Sequence, residues 1–133
     1  MTGGKTIIFH DLGHARAALA AAHEHNLAIT LQTAPGAAAY AGVGYLKAVN
    51  DKAGAHEAII DCGEDPGVVL AALRAGWKRL IFSGERDVFD KLAQMAGQQG
   101  ATITEAGPKG PILDLLDAPD PAIACLDFLR PDQ

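Results

Sequence analysis

Cysteine is scarce in this chain: Cys62 and Cys125 are the only two in 133 residues, far apart and outside any CxxC pair. A disulfide framework is therefore not expected, and the reducing interior of a cell is the natural setting, which reads as a cytoplasmic protein. Long apolar runs are also lacking. None approaches the roughly 20 residues that a membrane helix needs, and the stretch from Met1 to Lys5 has neither the basic segment nor the long apolar region of a signal peptide. No membrane partner is expected. Basic clusters are missing as well. Eleven Lys and Arg against sixteen Asp and Glu leave a net charge of −5, and Lys78-Arg79 is the only adjacent basic pair. A polyanion such as nucleic acid is not expected as the main partner, because neutralising phosphates requires clustered cations.

What is present is a core. Hydrophobic residues make up 49% and charged residues 20%, the balance of a globular chain rather than a disordered one. A chain of this length fits one domain. Short apolar runs recur at Thr6–Phe9, Ala28–Leu31, Ala58–Ile60 and Leu80–Phe82, with a weaker one at Ala101–Glu105. Each is too short for a helix and does not alternate, as expected of strands buried on both faces. Helical patterns fill the gaps. Residues 14–25 carry Ala15, Ala18, Leu19 and Ala22 on one stripe, residues 66–75 group Val69, Leu70 and Leu73, and residues 86–98 repeat Phe89, Leu92, Ala93 and Ala96. Gly76 and Gly100 stand at the stops. A helix over 37–50 contains Gly42 and Gly44, each costing about 1 kcal/mol relative to Ala. They either permit close packing on the sheet or delay the helix start.

Alternation of strand and helix predicts an α/β fold with a parallel sheet of about five strands and right-handed crossovers. Two layouts compete. A three-layer, doubly wound sheet covers both faces with helices and is the layout favoured for this length. Half of a (β/α)8 barrel leaves one apolar face open, to be buried in a homodimer or larger assembly. Residues 107–121 hold four prolines. Within them only Ile112 to Leu116 has the look of helix or strand, and Ala122–Leu129 reads as a last short helix. We read 1–133 as a single domain, with 107–133 as a C-terminal wrap.

The most informative stretch is Ala58 to Gly67, where an apolar run delivers Asp61 and Cys62 side by side before Gly63 turns the chain. In open α/β sheets and barrels, ligands gather at the carboxyl ends of strands. Those ends here carry His10 and Asp11, Gln32 and Thr33, Asp61 and Cys62, Ser83 and Glu85. A neighbouring acid and thiol, with His10 as a further ligand, suit a divalent metal such as zinc. The plainer alternative is that Asp61 caps a turn and Cys62 fills the core. Cys62 as a nucleophile needs a depressed pKa, which Glu64 and Asp65 oppose. The turn from Thr33 to Gly36 opens a helix and offers N–H groups to an anion, although it carries no GxGxxG. Ser83, Gly84 and Arg86 are placed to do similar work, with Arg86 as counter-charge. His14, His23 and His25 are expected to be solvent-exposed histidines of the first helix, and His56 should lie at the amino end of the third strand. Trp77 reads as a packing residue. Asp65-Pro66 is an N-cap followed by Pro at the first helical position.

The run from Ile29 to Gly42, within residues 15–50, resembles the early second-strand segment of the class II fructose-bisphosphate aldolases. Ile60-Asp61-Cys62-Gly63 is similar to that family's Asp-His-Gly motif. Leu73-Arg74-Ala75-Gly76-Trp77, followed by Leu80-Ile81-Phe82-Ser83-Gly84, is similar to its next helix and strand. The resemblance covers about residues 15–90 and implies the first half of a metal-dependent (β/α)8 barrel. It implies Asp61 as a proton-transfer residue and puts Cys62 where the family has its zinc-binding His, and Ser83 where it has an Asp on strand four. The later strands, which in the family supply further ligands and phosphate-binding loops, have no counterpart in these residues. The expectation is therefore a small aldolase-like domain that binds a small anionic or carbonyl metabolite at the strand carboxyl ends without complete aldolase chemistry. Two alternatives stand beside it: a metal-dependent lyase completed by oligomerisation, and a non-catalytic self-associating module.

Overall fold

A computed structural model describes residues 4–55 and 58–131. The chain runs β1 (Lys5–Phe9), α1 (Leu12–Glu24), β2 (Ile29–Thr33), α2 (Ala37–Ala41), α3 (Val43–Ala53), β3 (Ile60–Asp61), α4 (Pro66–Ala75), β4 (Arg79–Ile81), α5 (Arg86–Gln98), β5 (Thr102–Thr104), β6 (Ile112–Asp114) and α6 (Pro121–Leu129). The strands form two three-stranded sheets, ordered β2-β1-β6 and β3-β4-β5. Every pairing is parallel, with Phe9 opposite Thr33, Ile8 opposite Asp114, Asp61 opposite Ile81 and Ile81 opposite Thr104. A parallel bridge between Gln32 and Ile59 joins the two sheets. Across it the Ile59 N–H donates to Leu31 O at 2.8 Å and the Thr33 N–H to Ile59 O at 3.0 Å. The combined order is β6-β1-β2-β3-β4-β5, so all carboxyl ends share one rim.

From β1 to β5 each crossover steps the same way along the sheet. Right-handed crossovers that all advance in one direction put their helices on one face. The helices touch in the row α6, α1, α3, α4, α5. The doubly wound, three-layer layout is thus not formed, since it needs the strand order to reverse, and the helix-covered single face is that of the half-barrel. The described residues form six strands rather than five, because Ile112–Asp114, inside the segment read as a wrap, pairs with β1. Leu129 and Cys125 of α6 are fully buried, and α6 packs on α1.

Alternation along the strands builds the core. Ile7, Phe9, Leu31, Ile60, Cys62, Leu80 and Phe82 belong to the main buried cluster with the helices. Burying a side chain such as Phe9 or Ile7 contributes about 1.5–3 kcal/mol each. Ile59 and Ile81 are equally buried but stand outside that cluster, on the helix-free face. That face is crossed by the link from β5 to β6. A Cβ on Gly107 would strike the Gln32 amide, from β2, and come within 3.3 Å of Ile81 Cδ1, from β4. A side chain there would have to push the Gln32 amide aside.

The predicted helix over 37–50 is two helices. Gly42, at φ 93°, is the C-cap of α2 and the N-cap of α3, a conformation that L side chains rarely adopt. Nothing lies within 4 Å of a Cβ built on Gly44, so close packing on the sheet does not explain it. Asp65 and Pro66 behave as the sequence predicts: the Asp65 carboxylate accepts from the Gly67 N–H at 2.8 Å, with Pro66 opening α4.

Candidate functional site at the carboxyl-end rim

The rim of strand carboxyl ends has two parts. The first lies where β1 and β6 end. Asp114 closes β6 beside Ile8, and His10 follows β1. His10 Nε2 and Asp114 Oδ1 are 2.6 Å apart. Burial pushes the Asp114 pKa up, but the His10 hydrogen bond, the Leu116 N–H donated at 3.0 Å and the nearby histidines outweigh it, so the carboxyl sits below the usual aspartate range. An ionised Asp114 only accepts, so His10 donates from Nε2. Carboxylate-oriented imidazoles of this kind serve as bases or ligands.

His14 completes this part. Its Nδ1 accepts from the His10 N–H at 3.0 Å, and the two rings meet edge to face at 5.6 Å. With Nδ1 occupied as an acceptor, the His14 proton belongs on Nε2, 3.8 Å from Asp11 Oδ2. Asp11 is the N-cap of α1, where its Oδ1 accepts from the His14 N–H at 2.8 Å. The expectation that His14 is a solvent-exposed histidine is corrected: its side chain is 12% exposed, because the N-cap turns the first helical residues back toward β1. His23 is exposed, and His25, half-buried, places Nε2 3.0 Å from Leu126 O. His56 lies outside the described residues.

The second part of the rim is built on β3 and β4. The Asp61 N–H donates to the buried Thr33 Oγ1 at 2.9 Å, and Asp61 Oδ1 accepts from the Gly63 N–H at 2.9 Å. The Ser83 N–H donates to Gly63 O at 2.8 Å, tying the two loops together. Asp61 therefore caps its own turn. Cys62, its neighbour, points the other way, since successive strand residues face opposite sides. Its side chain is 5% exposed within the core. Burial first, then the charges of Asp61 and Asp65, push the thiol up to about 12. Burial and a raised pKa both oppose thiolate formation there. Among the described residues no three of His, Cys, Asp and Glu are grouped to hold a metal ion. His10 and Cys62 are not brought together in such a group.

The remaining expected ligand residues have structural occupations. Gly36 precedes α2, which is only five residues long and receives no side-chain cap. Gln32 is buried under Gly107. Gly84 lies so close to the Phe82 ring that a Cβ would overlap it. Arg86 is held by Glu105 at 2.9 Å and Asp90 at 3.2 Å, and its guanidinium stacks over Phe89 at 4.9 Å. Ser83 is exposed.

No family model matches the sequence, and no curated protein does. Among solved structures, the chain is similar to the crystal structure of a candidate fructose-1,6-bisphosphate aldolase from Coccidioides immitis, with a TM-score of 0.60 and 16% identity. The fold is aldolase-like. The match takes in 92% of this chain and 52% of the other, so the chain spans about half the length of the aldolase structure it matches. Its six parallel strands and one-sided helices fit half of such a barrel. No described helix is long and apolar enough to cross a membrane.

Sequence reasoning missed Asp114 and the part played by His14. The signal for Asp114 was present. Ile112-Leu113-Asp114 repeats the pattern of Ile59-Ile60-Asp61, an apolar pair delivering a carboxylate.

Proposed function

We propose that this chain is a half-length aldolase-like domain of class II descent that binds a small anionic or carbonyl metabolite at the strand carboxyl ends. His10, oriented by Asp114, receives the ligand, and complete aldolase chemistry is not carried out. The observation that carries the reading is the 2.6 Å contact between His10 and Asp114 on the rim, in a fold whose ligands gather there. Asp61 and Ser83 flank the ligand from the β3 and β4 side. We place the protein in the cytoplasm, in keeping with two free, buried cysteines.

The test is thermal stability across a panel of short keto acids, aldehydes and sugar phosphates. A ligand that binds the folded chain at a hundred times its Kd stabilises it by about 2.7 kcal/mol. At least one class should raise Tm in the parent and not in His10→Ala. A panel with no effect on the parent ends the reading.

A second reading, self-association, is favoured by the edge strand β6. Ile112 is 53% and Leu116 62% exposed beside its free side, apolar surface of the kind a second copy covers. Light scattering after gel filtration should then give a dimer that Ile112→Lys converts to monomer.

A further inference from the structure

One cavity lies away from His10 and Asp114. It opens at the amino ends of β3, β4 and β5, extends along β5 to Thr104, and holds about 820 Å³, within the range of metabolite sites. Its floor is apolar, from Ala58, Ile59 and Leu80, with Pro108 of the β5–β6 link at its edge. Three polar features on its wall are unlike a packing defect.

Asn50, at the end of α3, is 6% exposed. Its Nδ2 donates to Asp51 Oδ1 and to Ala55 O, each at 3.3 Å. Two acceptors on that branch fix the amide orientation, because a flip would set oxygen against oxygen. Oδ1, on the other branch, is buried and has no hydrogen-bond partner among the described residues. A buried acceptor left without a donor is unfavourable, and such groups in native structures call for an explanation. Beside a cavity, a donor carried in by a ligand supplies one. The charges are the second feature. Asp51 is matched by Lys47, whose Nζ donates to both its carboxylate oxygens at 2.8 Å. Lys78 gives one hydrogen bond, to Gln99 O at 2.9 Å, and has two further ammonium protons to offer. Thirdly, the exposed edge residue Thr102 brings a hydroxyl to the same wall.

We propose that the amino-end cavity is a second ligand site, for a small organic anion that also carries a hydroxyl donor. The anion meets Lys78 and Thr102, and the hydroxyl reaches Asn50 Oδ1, which is closed off from solvent in this structure, once the amide shifts toward the cavity. The site is separate from the rim and does not depend on the function proposed there.

Trp77 makes the proposal directly testable. It is the sole tryptophan of the chain, it is 2% exposed, and it lines this cavity. Its emission therefore reports on this end of the sheet and not on His10. Titration with glycerol 3-phosphate should change Trp77 emission saturably, inorganic phosphate should act more weakly, and glycerol more weakly still. Loss of one charge-assisted hydrogen bond weakens binding by about tenfold or more, which is the effect expected of Lys78→Met. Thr102→Val should weaken binding severalfold, and His10→Ala should leave it unchanged. Both variants at the cavity alter exposed side chains and leave the core intact. The proposal is overturned if none of the three probes changes the emission at tens of millimolar. It is also overturned if Lys78→Met and Thr102→Val bind glycerol 3-phosphate as the parent does, or if glycerol binds as well as its phosphate ester.

Discussion

The contact between His10 and Asp114 joins residues 104 positions apart and ties the end of β1 to the end of β6, so removing it should be felt in stability as well as in ligand binding. A hydrogen bond to a charged acceptor contributes about 1.5–3 kcal/mol. The His10 side chain is 16% exposed but that of Asp114 is 47%, and exposure screens the charge. We therefore expect about 1 kcal/mol of coupling at pH 7, or roughly 4 °C in Tm for a chain of this size. Asp114→Ala also removes the acceptor of the Leu116 N–H, so its single-mutant cost overstates the pair. A double-mutant cycle of His10→Ala, Asp114→Ala and both together, read by urea denaturation, subtracts that contribution. The pH dependence has a definite sign. The folded carboxyl of Asp114 lies below its ordinary value of 3.8. Its stabilisation is therefore full above pH 3.8 and is lost as pH falls through the folded value. A coupling within about 0.3 kcal/mol of zero at pH 7 would refute the orientation of His10 by Asp114, and with it the support for a rim site.

Three further outcomes are expected. Cys62 and Cys125, with thiols raised to about 12 and about 11, should resist alkylation at pH 8 in the folded protein and react at ordinary rates in denaturant; rapid native modification of Cys62 would place it outside the core. Leu129→Ala, at a fully buried position of α6, should cost about 2–5 kcal/mol in a single denaturation transition, because α6 shares the core with α1. Gly42→Ala should cost about 1–3 kcal/mol for a side chain at positive φ, and circular dichroism should show α2 and α3 still formed.

The local texture of the sequence was enough for the elements and not for their arrangement. Runs such as Thr6–Phe9 and Leu80–Phe82 announce strands because apolar residues bounded by polar ones have few other uses. The helix over 86–98 announces itself by the period of Phe89, Leu92 and Ala96. Which face the helices cover depends on strand order, a long-range property that no window of residues contains. The same holds for Asp114, whose partner lies at the other end of the chain. Cys62 is a different case. Adjacent residues at a strand end tend to face opposite sides, and here Cys62 enters the core while Asp61 caps the turn. His14 was misread because an N-cap at Asp11 folds its ring back against β1, a contact that helical spacing alone does not reveal.

The link between β5 and β6 explains why the sheet closes as it does. Thr104 ends β5 at the carboxyl rim, and Ile112 begins β6 on the far side of β1, near the amino end. On a flat sheet five strand spacings separate them, about 24 Å laterally, with a descent of one strand length in addition. Eight extended residue steps reach about 26–29 Å, and this link is not extended throughout, since Thr104 Oγ1 already turns back to Ala106 O at 2.9 Å. A flat sheet leaves the link no slack. It reaches β6 only by cutting across the helix-free face of a sheet curled toward it, which is where Gly107 meets Gln32 and Ile81. The crossing occupies the middle of that face. The rim with His10 and Asp114 is left on one side and the cavity with Lys78 and Asn50 on the other, so the two ligand sites proposed for a chain spanning half of an aldolase structure are kept apart.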